Sequence, residues 1–142
     1  MLLPLEDYKK IINSMPILCI DSIILNSKNQ YLLVKRKNEP LKSKYWVPGG
    51  RIFHYENLDI ALNRVLLSEV NINSQNLNKK FVGIYQDFFN ENAFNSKSKY
   101  HTISIVFQIS LVNDYIIKLD NQSEDYIWAN ELPERFLNKI IK

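Results

Sequence analysis

Gly50, Glu56, Arg64 and Glu69 are the residues of this sequence whose types and spacing could do chemistry together. Five residues separate Gly50 from Glu56 and seven separate Glu56 from Arg64. The set follows Trp46-Val47-Pro48-Gly49-Gly50, which holds two of the three glycines in the chain. Carboxylates are ligands for hard divalent cations, and a guanidinium is a planar bidentate partner for phosphate. Leu58, Ala61, Leu62, Val65, Leu66 and Glu69 recur at helical spacing, the first five forming an apolar face. Positions three and four apart on a helix share a face, so Val65, Ser68 and Glu69 converge, and only Glu69 among them is acidic. A single carboxylate gives a hard divalent cation one anionic ligand, so other oxygens must complete its shell.

Residues 46–72 resemble the Nudix box, G-x5-E-x7-R-E-U-x-E-E-x-G-U with U apolar. Gly50, Glu56, Arg64, Leu66, Glu69 and Ile72 match it, whereas Val65, Ser68 and Asn71 depart from it. These departures are similar to those of one branch of that family, the GDP-mannose mannosyl hydrolases. That branch has an apolar and a small residue at the same two helix positions and keeps the last Glu. Leu32-Leu33-Val34-Lys35-Arg36, Asn38, Pro40 and Tyr45–Arg51 also look like it, and the stretch Asp120-Asn121-Gln122-Ser123-Glu124-Asp125-Tyr126-Ile127-Trp128 looks like its late metal-ligand loop. The resemblance implies Mg²⁺-dependent hydrolysis of a nucleoside-diphosphate sugar, with Mn²⁺ as a substitute. Water attacks sugar carbon 1, releasing the diphosphate and free sugar with inversion.

Carried over by position, the resemblance makes the Gly49 carbonyl, the Glu69 carboxylate and the Gln122 side-chain oxygen the metal ligands. Arg36 and Arg51 grip the diphosphate, and Asp21 falls on another active-site position. Glu56 and Arg64 are expected to pair and fix the loop-helix-loop, with Arg64 also placed near the leaving group. A departing nucleoside diphosphate is a good leaving group, so one cation and two guanidiniums suffice as Lewis acid and charge clamp. A base on the opposite sugar face still helps, as in inverting glycoside hydrolysis. The family carries a His immediately after the late Gln. Here Ser123 stands there, and its hydroxyl can at most position water. Glu124, Asp87 and His101 are the alternatives for the base, and Thr102 replaces a Tyr of the family. Two other readings stay open. One is an ordinary diphosphatase cutting between the phosphates, against which the loss of two helix carboxylates argues. The other is a non-catalytic nucleotide-sugar-binding module, which Ser123 motivates. A homodimer is expected from the resemblance.

The elements that must position these groups read as α+β. A helix is expected over residues 4–13, strands over 15–25 and 31–36 joined as a hairpin by the turn-forming Asn26-Ser27-Lys28-Asn29, and a short broken strand at 46–50. The marked central helix follows, with Asn71 and Asn73 as terminators. Strands are expected over 81–89, 101–111 and 125–129, with a closing helix over 131–141. This is not the regular alternation of a doubly wound fold. With the resemblance it implies an α/β/α sandwich around a central mixed sheet, in one domain spanning 1–142. The polar stretch 90–99 is long for a hairpin turn and suits a mobile loop near a ligand. His54 reads as a solvent-facing loop residue. Tyr45, Tyr85, Phe88, Phe89 and Phe94 read as core packing or as a base-stacking platform.

The 142 residues carry a net charge of +3 with no continuous basic stripe, which speaks against nucleic-acid binding. Cys19 is the only cysteine, so a disulfide within the chain and a cysteine zinc site are both excluded. Neither a secretion signal nor an apolar run of roughly 20 residues is present, and the expected location is cytoplasmic, away from membranes.

Overall fold

A computed structural model describes residues 3–38, 40–90 and 99–142. In chain order the elements are α1 (Leu5–Ser14), β1 (Ile17–Leu25), β2 (Tyr31–Arg36), β3 (Tyr45–Trp46), β4 (Gly49–Arg51), α2 (Leu58–Val70), β5 (Lys79–Phe89), β6 (Tyr100–Ser110), β7 (Ser123–Ala129), α3 (Glu134–Lys139) and β8 (Ile140–Ile141). The strands form one eight-stranded sheet in the order β3-β2-β1-β6-β5-β8, with β4 joined to β1 and β7 to β2. It is mixed: β1 and β6 run parallel over their length, and the other pairings are antiparallel.

Strand alternation splits the apolar residues between two layers. Ile20 and Ile24 of β1 meet Ala61, Leu62, Val65 and Leu66 of α2 in one cluster. Ile23, Tyr85 and Val106 meet Trp46 and Phe136 of α3 in another. Ile12 of α1 packs with Ile17 and Cys19. The fold is therefore α+β, a mixed sheet with helices packed around it. Helix α2 is bounded by side-chain chemistry at both ends: Asn57 accepts a hydrogen bond from the Ile60 N–H, and Asn71 takes the left-handed conformation (φ 63°) that stops the helix.

Three expectations change. Strands β1 and β2 share only the Leu25–Tyr31 pair, because β4 occupies the edge of β1 from Cys19 to Asp21, while β2 pairs with β7 along its length. Leu58 at the start of α2 is exposed rather than part of its buried face. The closing helix is shorter than expected, since Pro133 caps its start and Ile140–Ile141 leaves it to pair with β5. Gly83 permits that pairing, as a Cβ there would lie 2.3 Å from the Ile141 carbonyl oxygen. The expected loop at 91–98, with Phe94, lies outside the described residues. Among the described residues no helix is long and apolar enough to cross a membrane.

Candidate active site

A cavity of about 590 Å³ opens beside the edge of β1 where β4 and α2 meet it. Its lining includes Asp21, Arg36, Gly49, Arg51, Arg64, Glu69 and Gln122, so the structure gathers these seven sequence-predicted residues from five segments of the chain. The register explains part of this. Asp21 of β1 pairs with Gly49 of β4, and Lys37, one residue past β2, donates its N–H to the Gln122 carbonyl at 3.0 Å.

Glu69 is buried, and its carboxylate accepts the Gly49 N–H at 2.9 Å. Burial pushes its carboxyl up to about 8; the Gly49 N–H opposes this and the nearby Asp120 charge adds to it. Burial likewise pushes Asp21 up to about 7, against a hydrogen bond to Ser104 and the Arg36 charge. Acids held this way gain from a nearby cation, which restores their charged form. Among the described residues no three acidic, His or Cys side chains are grouped to hold a metal ion unaided. One cation on Glu69, completed by neutral oxygens, is what this donor set fits.

The two helix positions that depart from the box have clear places. Val65 is buried against Gly50, where an added Cβ would meet its Cγ2 at 3.2 Å, and Ser68 is exposed at the cavity. Gly49 is required by close approach. A Cβ there would stand 1.9 Å from the Asp21 Oδ1 and 2.9 Å from the Ile20 carbonyl oxygen. Gly49→Ala is expected to destabilise the protein by about 1–3 kcal/mol, the usual cost of forcing a methyl into filled space. It should also weaken Mg²⁺ binding measured by calorimetry.

Arg64 is bidentate to Glu56, at 2.6 Å and 3.0 Å, and its Nη2 also donates to the Arg51 carbonyl at 2.8 Å. Glu56 accepts the Phe53 N–H as well, and the Arg64 hydrogen bond holds its carboxyl below the usual range. The pair thus ties the box loop to α2. Arg36 donates its Nε–H to the Pro40 carbonyl at 2.8 Å.

The sugar-end candidates are not brought to the cavity. Ser123 is buried at the start of β7 beside Arg36, and Glu124 turns to Lys35 at 3.5 Å. His101 points to the opposite sheet face from Tyr100 and Thr102 and stacks on Phe88 at 4.2 Å. Asp87 does lie on the face of Tyr85 and Phe89, but α3 covers it. Arg135 grips it at 2.7 Å and 2.8 Å, Lys139 at 2.9 Å, and the Tyr85 hydroxyl also donates to it. Burial raises its carboxyl, but these donors outweigh burial and hold it at about 2. A carboxylate so occupied is a poor base, which favours a structural role for Asp87 over the base expected from sequence. Tyr85 and Trp46 are core residues in edge contact, and both line the cavity together with Phe89.

Asp120, Tyr8 and Tyr100 are among the lining residues to which the sequence assigned no role. Asp120 accepts the Gln122 N–H at 2.9 Å, an Asx turn that its Asp-Asn-Gln sequence could have signalled. Tyr8 and Tyr100 bond to each other across α1 and β6; that contact spans most of the chain and has no local signal.

Comparison with known proteins agrees with this geometry. Residues 15–134 match the model of the NUDIX domain. The chain belongs to the NUDIX domain family and is a Nudix hydrolase. It is 25% identical over 120 residues to the low-salt glycan biosynthesis protein Agl8 of Haloferax volcanii, covering 84% of this chain and 74% of that one. It is 29% identical over 130 residues to an ADP-ribose pyrophosphatase of Methanocaldococcus jannaschii, covering 89% and 72%. In structure it is similar to the MutT protein of Methanosarcina mazei Go1, with a TM-score of 0.68, 24% identity and coverage of 88% and 91%. That likeness bears on the fold alone. Hydrolases of this family generally use Mg²⁺ or Mn²⁺ and bind nucleotide substrates.

Proposed function

We propose that the protein hydrolyses a nucleoside-diphosphate sugar, resembling GDP-mannose, to the nucleoside diphosphate and free sugar. The observation that carries this is the composition of α2: it offers the cavity one carboxylate, Glu69, where a multi-metal site would need more, and buries Val65 against Gly50. Gly49, Glu69 and Gln122 would hold one Mg²⁺ or Mn²⁺, which supplies Lewis-acid charge compensation to the departing diphosphate. Arg36 and Arg51 bind the diphosphate as planar donors and stabilise the charge it gains as the carbon–oxygen bond breaks. Arg64 holds the loop that presents Arg51. The carboxylates available to orient or deprotonate water are Asp21 and Asp120, which line the cavity, rather than Glu124, Asp87 or His101. The chain works as a homodimer in this reading, as the family resemblance implies.

The ADP-ribose pyrophosphatase relative favours a second reading, in which the bond cut lies between the phosphates. A panel of nucleoside-diphosphate sugars in oxygen-18 water decides between them. Nucleoside diphosphate with label on the sugar is the expected result. Nucleoside monophosphate with labelled phosphate establishes the diphosphatase instead. Binding without turnover of any panel member would leave a nucleotide-sugar-binding module.

A further inference from the structure

Arg51 is the guanidinium whose placement the proposed diphosphate grip most depends on, and an aromatic residue outside the recognised pattern sets it. Phe53 follows β4 in the box loop and lines the same cavity. The Arg51 guanidinium lies over its ring at 4.7 Å, and the Arg64 guanidinium lies over it at 3.6 Å. The Phe53 backbone is fixed too, since its N–H donates to Glu56, the residue that clamps Arg64. Arg64 in turn donates to the Arg51 carbonyl. One rigid unit of Glu56, Arg64 and Phe53 therefore holds Arg51 at both its backbone and its side chain. Tyr8 of α1 adds a second ring, 5.2 Å from the Arg51 guanidinium.

The choice of a ring has a physical logic. A ring face attracts the cation through its quadrupole and accepts no N–H hydrogen bond in the guanidinium plane. It also reduces the rotamer freedom that a long arginine would otherwise lose on binding. We infer that Phe53 is a positioning residue for diphosphate recognition: it orients the Arg51 guanidinium toward the substrate. This inference rests on the nucleotide-sugar reading.

The test is calorimetric binding of GDP and of inorganic pyrophosphate, with Mg²⁺, to four proteins: wild type, Phe53→Leu, Phe53→Tyr and Arg51→Ala, followed by the Arg51→Ala/Phe53→Leu double variant. Phe53→Leu is expected to weaken both ligands by roughly five- to thirtyfold, the range set by a cation–π contact of about 1–2 kcal/mol. Phe53→Tyr keeps the ring and should restore affinity. In the Arg51→Ala background Phe53→Leu should cost nothing further, because the two act as one unit. An equal loss in both backgrounds overturns the inference, as does wild-type affinity in Phe53→Leu. Should the leucine variant fold poorly, the Arg51 Nε–H resonance of the wild type decides: a ring-current shift there supports the contact and its absence overturns it. If the wild type binds neither ligand, the nucleotide-sugar reading itself falls and takes this inference with it.

Discussion

Replacing Glu69 by Gln will abolish Mg²⁺-dependent turnover, a fall on the order of a thousandfold or more, while making the metal-free protein more stable. The first half follows from the donor set. Glu69 is the one acidic group that α2 presents to the cavity, so its loss leaves the proposed site with neutral oxygens. Several kcal/mol of charge stabilisation then disappears, and each ~1.4 kcal/mol is tenfold in rate. The second half follows from burial. The Glu69 carboxyl is raised from 4.5 to about 8. In the unfolded chain it ionises near 4.5, so folding must take up a proton at any pH between these values. The metal-free protein accordingly loses stability as pH rises from 4.5 toward 8, and a neutral Gln removes that cost while its amide oxygen can still accept the Gly49 N–H. Thermal melts of both proteins at pH 7, with chelator and with Mg²⁺, check the prediction. Wild type should gain with Mg²⁺ and the variant should not. A wild-type rate in Glu69→Gln would remove the metal site from this position.

Part of the cavity lining was legible in the sequence because its determinants are local. Gly49, Arg51, Arg64 and Glu69 sit in one strand-loop-helix segment, where spacing alone places groups on the same side. Asp21, Arg36 and Gln122 are distant in sequence and came only through resemblance; the sheet register then brought them to the same cavity. For the same reason, not all the residues expected at the sugar end gather at this cavity. His101 and Thr102 are adjacent in sequence, but strand alternation sends one away from the cavity and the other into it. For Asp87 the alternation was favourable, yet a short C-terminal helix covers it, and no local pattern in residues 79–89 announces Arg135 and Lys139. The hairpin expected from residues 15–36 forms only at its turn end, through the Leu25–Tyr31 pair. Turn chemistry fixed the reversal, through the Asn26 side chain accepting the Lys28 and Gln30 N–H groups. The edge of β1 then went to β4, whose Gly49 allows the close approach.

Asp87→Asn will lower stability by about 3 kcal/mol while preserving turnover at low temperature, the reverse of what a catalytic base would show. Asp87 is fully buried, and it alone joins Arg135, Lys139 and the Tyr85 hydroxyl. An amide can satisfy at most part of this set and leaves two cations without a counter-charge. Breaking a buried ion pair in this way costs about 3–5 kcal/mol. The lower end applies here because Arg135 and Lys139 are about 40% exposed and can be rehydrated. For a chain of this size the melting temperature should fall by about 10 °C. The pH dependence gives an independent check. The Asp87 carboxyl is lowered from 3.8 to about 2, so its contribution is fully present above 3.8 and is lost as pH falls through about 2. Wild type and variant should therefore differ at pH 7 and converge toward pH 2. The Tyr85 and Phe136 rings that α3 stacks at 5.1 Å loosen with the clamp, so partial unfolding should begin at the C-terminus, visible as faster amide exchange in residues 134–141. If instead Asp87→Asn melts like wild type and loses its activity, Asp87 is part of the chemistry and the covering by α3 is incidental.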